Sequence, residues 1–138
     1  ERAIQVAKKN LMKFNLNKKI NLVKSNWFKS LDNKFDLIIS NPPYIKKDDL
    51  AKLSKDVQYD PLISLDGGLT GLRSYFKIAK EVHKHIKKNG FIILEIGYGQ
   101  LKQVDNIFLN QGFKRILKEK DLQGIDRVVV YQYKVRNT

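Results

Sequence analysis

The hexapeptide Phe35-Asp36-Leu37-Ile38-Ile39-Ser40 runs straight into Asn41-Pro42-Pro43-Tyr44, and this junction restricts the architecture more than any other stretch. The hexapeptide is short and apolar, as a strand in a core is. Proline has no N–H to give to a ladder, so the strand must stop at Pro42. An apolar strand ending in a stiff polar loop suits an open α/β sheet, where ligands bind past the carboxyl ends of parallel strands.

The residue types of the loop suggest a chemistry. Each proline disfavours the helical region for the residue before it, so Asn41 and Pro42 are expected to be extended. Pro42 keeps its backbone carbonyl, and Asn41 adds a side-chain carbonyl. Set side by side, these acceptors would take both hydrogens of one NH2 group, with Tyr44 flat against the planar group carrying it. The loop offers no evident acid, base or nucleophile. It reads as a site for a planar amide or an exocyclic amino group. A plain strand-ending turn is the competing reading, since Asn and Pro are common in turns. The tetrapeptide without its context does not separate the two.

Bulk properties narrow the partners. The 138 residues are one domain's worth, enough to bury a core. The chain has no cysteine, which excludes disulfides and thiolate zinc sites. It has no apolar run of transmembrane length and no signal-peptide pattern, so a soluble, cytoplasmic protein is expected, with no membrane partner. Lys and Arg number 27 against 14 Asp and Glu, a net charge of +13 that attracts acidic partners. The excess is mostly lysine spread along every segment, which favours a solvated surface over a dedicated nucleic-acid stripe.

Taken in order, Ile4, Ala7, Leu11 and Phe14 predict a helix over residues 1–16. The chain begins inside this helix with no Met and no lead-in, which reads as truncation. Residues 19–24 alternate as a short strand, and Trp27, the sole Trp, follows its carboxyl end. Residues 45–70 form a long irregular connection of the kind that serves as a lid or binding segment. Leu50, Leu53 and Val57 suggest a short helix within it. Leu72, Tyr75, Phe76, Ala79, Val82 and Ile86 make the apolar stripe of a helix that Lys87-Lys88-Asn89-Gly90 should end. His83 and His85 do not share a face of it, so no metal site is expected. Phe91-Ile92-Ile93-Leu94-Glu95-Ile96 reads as a strand covered on both faces. A helix over 100–110 and strands over 113–118 and 127–133 complete the chain, the last two as an antiparallel pair. Glu95, Asp121 and Asp126 read as caps or rim charges.

The combination of motifs resembles one family. Asn41-Pro42-Pro43-Tyr44-Ile45 is followed by Asp60-Pro61, by Leu65-Asp66-Gly67-Gly68-Leu69-Thr70-Gly71-Leu72, and by Tyr75. Later come Leu94-Glu95-Ile96-Gly97, Gln100 and Asp121-Leu122-x-Gly124-x-Asp126-Arg127-Val128-Val129. Together they resemble the peptide chain release factor glutamine N5-methyltransferases (the HemK/PrmC type), over nearly all of residues 1–138. The resemblance implies an α/β, Rossmann-like class I fold that uses S-adenosyl-L-methionine. It implies methyl transfer to the glutamine of the Gly-Gly-Gln loop of release factors. By matching motif, Asn41 and Pro42 would hold that glutamine's amide, with Pro43 and Tyr44 completing the substrate site and Asn41, Pro42 and Tyr44 acting as the catalytic set. Asn26, Trp27 and Asn41 would meet the cofactor. Asn26 stands where the family usually has Asp, and Asp60 where Glu is more usual.

The family's glycine-rich cofactor loop and ribose-gripping acid lie upstream of a helix like 1–16, and would fall before Glu1. In the class I strand order 3-2-1-4-5-7-6, residues 20–24 would be strand 3 and Phe35–Ser40 strand 4. Residues 1–138 would then be a partial catalytic domain lacking strands 1 and 2, poorly stable and weak in cofactor binding by itself. Three other readings stay open. They are an adenine- or cytosine-amino methyltransferase acting on nucleic acid, methylation of glutamine in another protein, and a non-catalytic basic remnant.

Overall fold

The computed structural model describes residues 2–54, 57 and 59–134. Glu1 as the first residue of the predicted helix, and the chain end at Thr138, lie outside the described residues. The chain divides into two compact units, Glu1–Asp32 and Asn33–Thr138.

The first unit carries helix α1, Arg2–Lys13. Ile4, Ala7 and Leu11 are half-buried, as the periodicity predicts. Phe14 departs from it and is 62% exposed. The cause is the helix end: Asn15 takes a left-handed φ of 55°. The Leu16 N–H then donates to Leu11 O at 2.8 Å and the Asn15 N–H to Met12 O at 3.2 Å. That pair of bonds is the Schellman stop, with Asn in the usual glycine position. It turns the chain before Phe14 can join the stripe. The strand expected over residues 19–24 is absent, and these residues are irregular. A strand needs a ladder partner for its N–H and C=O groups, and residues 19–24 pair with none among the described residues. Phe28 is the buried aromatic of this unit.

The second unit holds a four-stranded sheet. Its strands are β1 (Phe35–Ser40), β2 (Ile86–Glu95), β3 (Phe113–Lys120) and β4 (Asp126–Tyr133), in spatial order β1-β2-β4-β3. Strand β2 runs parallel to β1 and antiparallel to β4, and β3 pairs antiparallel with β4. This is the order 4-5-7-6 that the class I plan assigns to its last four strands. Among the described residues the helices include α2 (Leu62–Leu65), α3 (Arg73–His85) and α4 (Leu101–Leu109), with a 3-10 turn at Lys47–Lys52.

The core lies between the sheet and α3 and α4. Tyr75, Ile78, Ala79 and Val82 of α3, Ile92 and Leu94 of β2, Val104 and Phe108 of α4, and Val129 and Tyr131 of β4 are all buried. The Phe108 ring stacks on Tyr131 at 4.9 Å between centroids. Three details differ from the sequence reading. Phe76 is 58% exposed, and Ile78 takes its place in the α3 stripe. Strand β2 is not covered equally on both faces: Ile92 and Leu94 are fully buried while Phe91 stays exposed. Helix α3 stops at His85, and Ile86 already pairs with Phe35. The register then jumps to Leu37↔Phe91, so residues 87–90 bulge out of the ladder. Asn89 makes that bulge with a φ of 63°, and Lys87 Nζ reaches the Asp36 carboxylate at 2.8 Å. The Lys-Lys-Asn-Gly stretch, expected to end the helix, therefore lies within β2 as a bulge, and the helix has already ended at His85. No described helix is long and apolar enough to cross a membrane.

Candidate active site

Because β1 and β2 are parallel and Ser40 pairs with Leu94, the loops that follow them leave from the same edge of the sheet. Residues 41–44 follow β1, and residues 96–100 follow β2. Tyr44 joins the two. Its hydroxyl donates to Glu95 Oε1 at 2.8 Å, and its backbone carbonyl accepts from Gln100 Nε2 at 3.0 Å. Burial raises the Tyr44 phenol above its ordinary value, and the Glu95 carboxylate it bonds adds to the rise. Gln100 is buried, and its Oε1 accepts from the Gly97 N–H at 3.0 Å.

A third segment closes on the same loop. The Ile45 N–H donates to Leu65 O at 3.1 Å and the Gly67 N–H to Ile45 O at 2.8 Å. Asp66 caps the turn by accepting from the Gly68 N–H at 2.7 Å, and it pairs with Arg73 at 2.9 Å. Those bonds, the backbone N–H first and the guanidinium second, hold the Asp66 carboxyl below its ordinary value. Gly71 sits at the closest approach, with φ at 76°. A Cβ there would stand 2.5 Å from both Tyr44 O and Gln100 Nε2, so only glycine fits. The stretch expected to act as a lid is thus, at residues 65–73, a bonded wall of the loop.

Between residues 41–45 and Leu53, Val57, Asp60, Ser64 and Leu65 lies a cleft of about 420 Å³. Asn41, Pro42, Pro43, Tyr44, Asp60 and Ser64 are among its lining residues. Asn41 is exposed while Pro42 is almost wholly enclosed. Among the described residues, no internal hydrogen bond engages the Asn41 side chain or the Pro42 carbonyl. Among the described residues of the lining, Asp60 is the carboxylic acid and there is no histidine, lysine or cysteine. A larger cleft, about 650 Å³, lies between α3 and α4 and is lined by Phe76, Ala79 and Ile107. It includes none of the loop residues, and no group of ionisable side chains meets there.

Asn26 and Trp27 belong to the first unit. Asn26 is exposed and Trp27 half-buried. Trp27 holds a left-handed backbone with φ at 58°, a conformation rare for a bulky residue. Outliers of this kind persist where surroundings fix them, and they cluster at ligand clamps. That observation, with the flat indole, fits the adenine end of a nucleoside-type cofactor. Among the described residues no cluster of His, Cys, Asp or Glu could hold a metal ion.

The three acidic residues read as caps or rim charges divide. Asp121 is a cap: it accepts from the Gln123 and Ile125 N–H groups at 2.9 and 3.0 Å and pairs with Arg127. Asp126 is a rim charge bound to Lys118 at 3.1 Å. Glu95 is neither, because it anchors Tyr44. The signal for it was its place as the last residue of a strand running parallel to β1. Gln100 stands out in the sequence only as part of a motif, and its bond to the loop comes from the three-dimensional arrangement.

Residues 1–125 match the sequence profile of the family described as Eco57I restriction-modification methylase. The chain is 44% identical over 129 residues to a bifunctional methyltransferase of Rickettsia prowazekii, covering 92% of this chain and 25% of that protein. It is 41% identical over 133 residues to a release factor glutamine methyltransferase of Thermodesulfovibrio yellowstonii, covering 96% and 48%. Against the crystal structure of a methyltransferase from Pyrococcus furiosus the TM-score is 0.68 at 21% identity, covering 95% of this chain and 57% of that one. At that identity the likeness concerns the fold, a Rossmann-like class I methyltransferase sheet. The chain spans a quarter to about half the length of the curated relatives it matches.

Proposed function

The chain belongs to the Eco57I restriction-modification methylase family, and from that premise we propose that it forms the acceptor site of an S-adenosylmethionine-dependent protein-(glutamine-N5) methyltransferase. The substrate is the glutamine of the Gly-Gly-Gln loop of peptide chain release factors. The observation that carries this reading is the Asn41–Tyr44 loop: an acceptor-rich turn at a strand's carboxyl end, lining a cleft, with its own acceptors unspent.

An amide nitrogen is a poor nucleophile, because its lone pair is delocalised into the carbonyl. When bound, S-adenosylmethionine supplies a sulfonium methyl that is already strongly electrophilic. The work left to the protein is positioning. Asn41 Oδ1 and the Pro42 carbonyl take the two amide hydrogens, pin the nitrogen, and favour the positive charge that develops on it. Tyr44 gives the amide plane a surface, and its bond to Glu95 keeps the ring from swinging. The departing proton passes to water after transfer. Asn26 and Trp27 of the first unit are the residues that the family resemblance assigns to the cofactor's adenine, and Asn41 is the cofactor contact that it assigns in the second unit.

Kinetics of Asn41→Ala and Asn41→Gln test the assignment. In the full natural protein carrying these residues, both variants are expected to lose about a hundredfold or more in turnover with S-adenosylmethionine binding within severalfold. Near-normal turnover in Asn41→Ala would refute the role.

A second reading, amino methylation of adenine or cytosine in nucleic acid, is favoured by one observation, the restriction-modification name of the family. The relative at 41% identity, whose name specifies release factor glutamine, supports the protein substrate instead.

A further inference from the structure

We propose that Gln100 is a positioning residue for methyl transfer, one that fixes the Asn41–Tyr44 loop without touching the substrate. The inference rests on the reading of that loop as the amide-holding site.

Gln100 is 7% exposed, and every polar atom of its side chain is used. Oε1 accepts from the Gly97 N–H at 3.0 Å. Nε2 donates to Tyr44 O at 3.0 Å and to Gly71 O at 3.4 Å. The amide orientation follows from its partners, since an N–H only donates and a carbonyl only accepts. One side chain therefore ties together the loop after β1, the turn before α3 and the loop after β2. Gln100 is also the N-terminal cap residue of α4, and it makes no side-chain bond to its own helix. Cap positions favour Ser, Thr, Asp and Asn for that local bond. Here the side chain turns back to the loop instead.

The bond reaches the acceptors through a stiff linkage. Pro42 and Pro43 have φ locked by their rings, so they cannot absorb a shift at Tyr44 as flexible residues would. A shift at the Tyr44 carbonyl is therefore passed towards the Pro42 carbonyl and Asn41, with the torsions of Tyr44 and the proline ψ angles alone left to absorb it. The Tyr44 hydroxyl is anchored separately on Glu95. The ring is thus anchored on Glu95 and the Tyr44 carbonyl on Gln100, beside the main-chain bonds that Ile45 makes with Leu65 and Gly67. A misplacement of about 1 Å at a reacting group is enough to cost about a hundredfold in rate.

The test uses the full natural protein carrying this chain, with Gln100→Leu and Gln100→Glu, release factor as acceptor and methyl-labelled S-adenosylmethionine. Turnover is expressed per molecule able to bind S-adenosylmethionine, so that misfolded protein does not count. Gln100→Leu is expected to lower kcat about tenfold or more while KM for S-adenosylmethionine stays within about twofold. In Gln100→Glu one oxygen keeps the Gly97 bond. The other faces two carbonyls as a carboxylate and regains a donor only when protonated. Its kcat relative to wild type is therefore expected to rise as pH falls through the carboxyl's own value, which burial beside two carbonyls raises above the ordinary Glu value of about 4.3. A purely structural role would not produce that profile. Gln100→Leu with wild-type kcat, or Gln100→Glu with the wild-type pH profile, would overturn the proposal. If Gln100→Leu does not fold, the Gln100→Glu profile decides. Failure of wild-type protein to label release factor would instead sink the amide reading itself.

Discussion

Tyr44 and Glu95 lie 51 positions apart in the chain, yet the Tyr44 hydroxyl donates to Glu95 Oε1 at 2.8 Å. The bond fastens the end of the β1 loop to the last residue of β2. It makes the aromatic wall of the cleft a held surface. Tyr44→Phe keeps the ring and deletes the bond. It is expected to cost about 1 kcal/mol of stability and to lower turnover severalfold, measured by denaturant unfolding and by initial rates. The folded Tyr44 phenol lies above its ordinary value, chiefly through burial. Its contribution to stability is therefore present below about pH 10 and is lost as pH rises through the raised value. The difference in stability between wild type and Tyr44→Phe should shrink at the alkaline end.

Acid should act through two other turns. Asp66 is held below its ordinary value by the Gly68 N–H and then by Arg73, and Asp121 by the Ile125 N–H and then by Arg127. A depressed folded value means that the unfolded chain binds the proton more tightly. The stability these carboxylates confer is thus full above the ordinary Asp value of about 3.9 and is lost as pH falls through their lowered values. Thermal melts from neutral to strongly acid solution should show Asp66→Asn and Asp121→Asn destabilised near neutrality and converging with wild type in acid.

Trp27 is the single tryptophan, so its emission reports one place in the chain. If its indole faces the adenine, S-adenosylmethionine should change that emission in a saturable way. Trp27→Ala should weaken binding by about tenfold, in line with the value of one aromatic stacking contact at 1–3 kcal/mol, measured by calorimetry. An unchanged dissociation constant in Trp27→Ala would remove Trp27 from the cofactor site.

The elements of the second unit were largely legible in the sequence, because their signals are local. Proline ended β1 at Ser40, and the valines of 128–130 marked β4. The strand read at residues 19–24 failed because alternation describes a side-chain pattern, whereas a strand also needs a neighbour. Phe14 failed because the helix stop at Asn15 outweighed one more apolar position. Of the candidate site, the composition of the loop was legible, down to the acceptors of Asn41 and Pro42. What holds the loop was not. The Tyr44–Glu95 and Tyr44–Gln100 bonds join residues more than 50 positions apart. Only the parallel pairing of β1 with β2 brings them to one edge.

The most direct measurement incubates the full natural protein carrying this chain with methyl-labelled S-adenosylmethionine and a purified release factor. The control is the same factor with the glutamine of its Gly-Gly-Gln loop changed to alanine, and duplex DNA is assayed in parallel. The account predicts label on the native factor, none on the alanine form and none on DNA. Label on DNA with none on the factor would contradict it and establish the nucleic-acid reading.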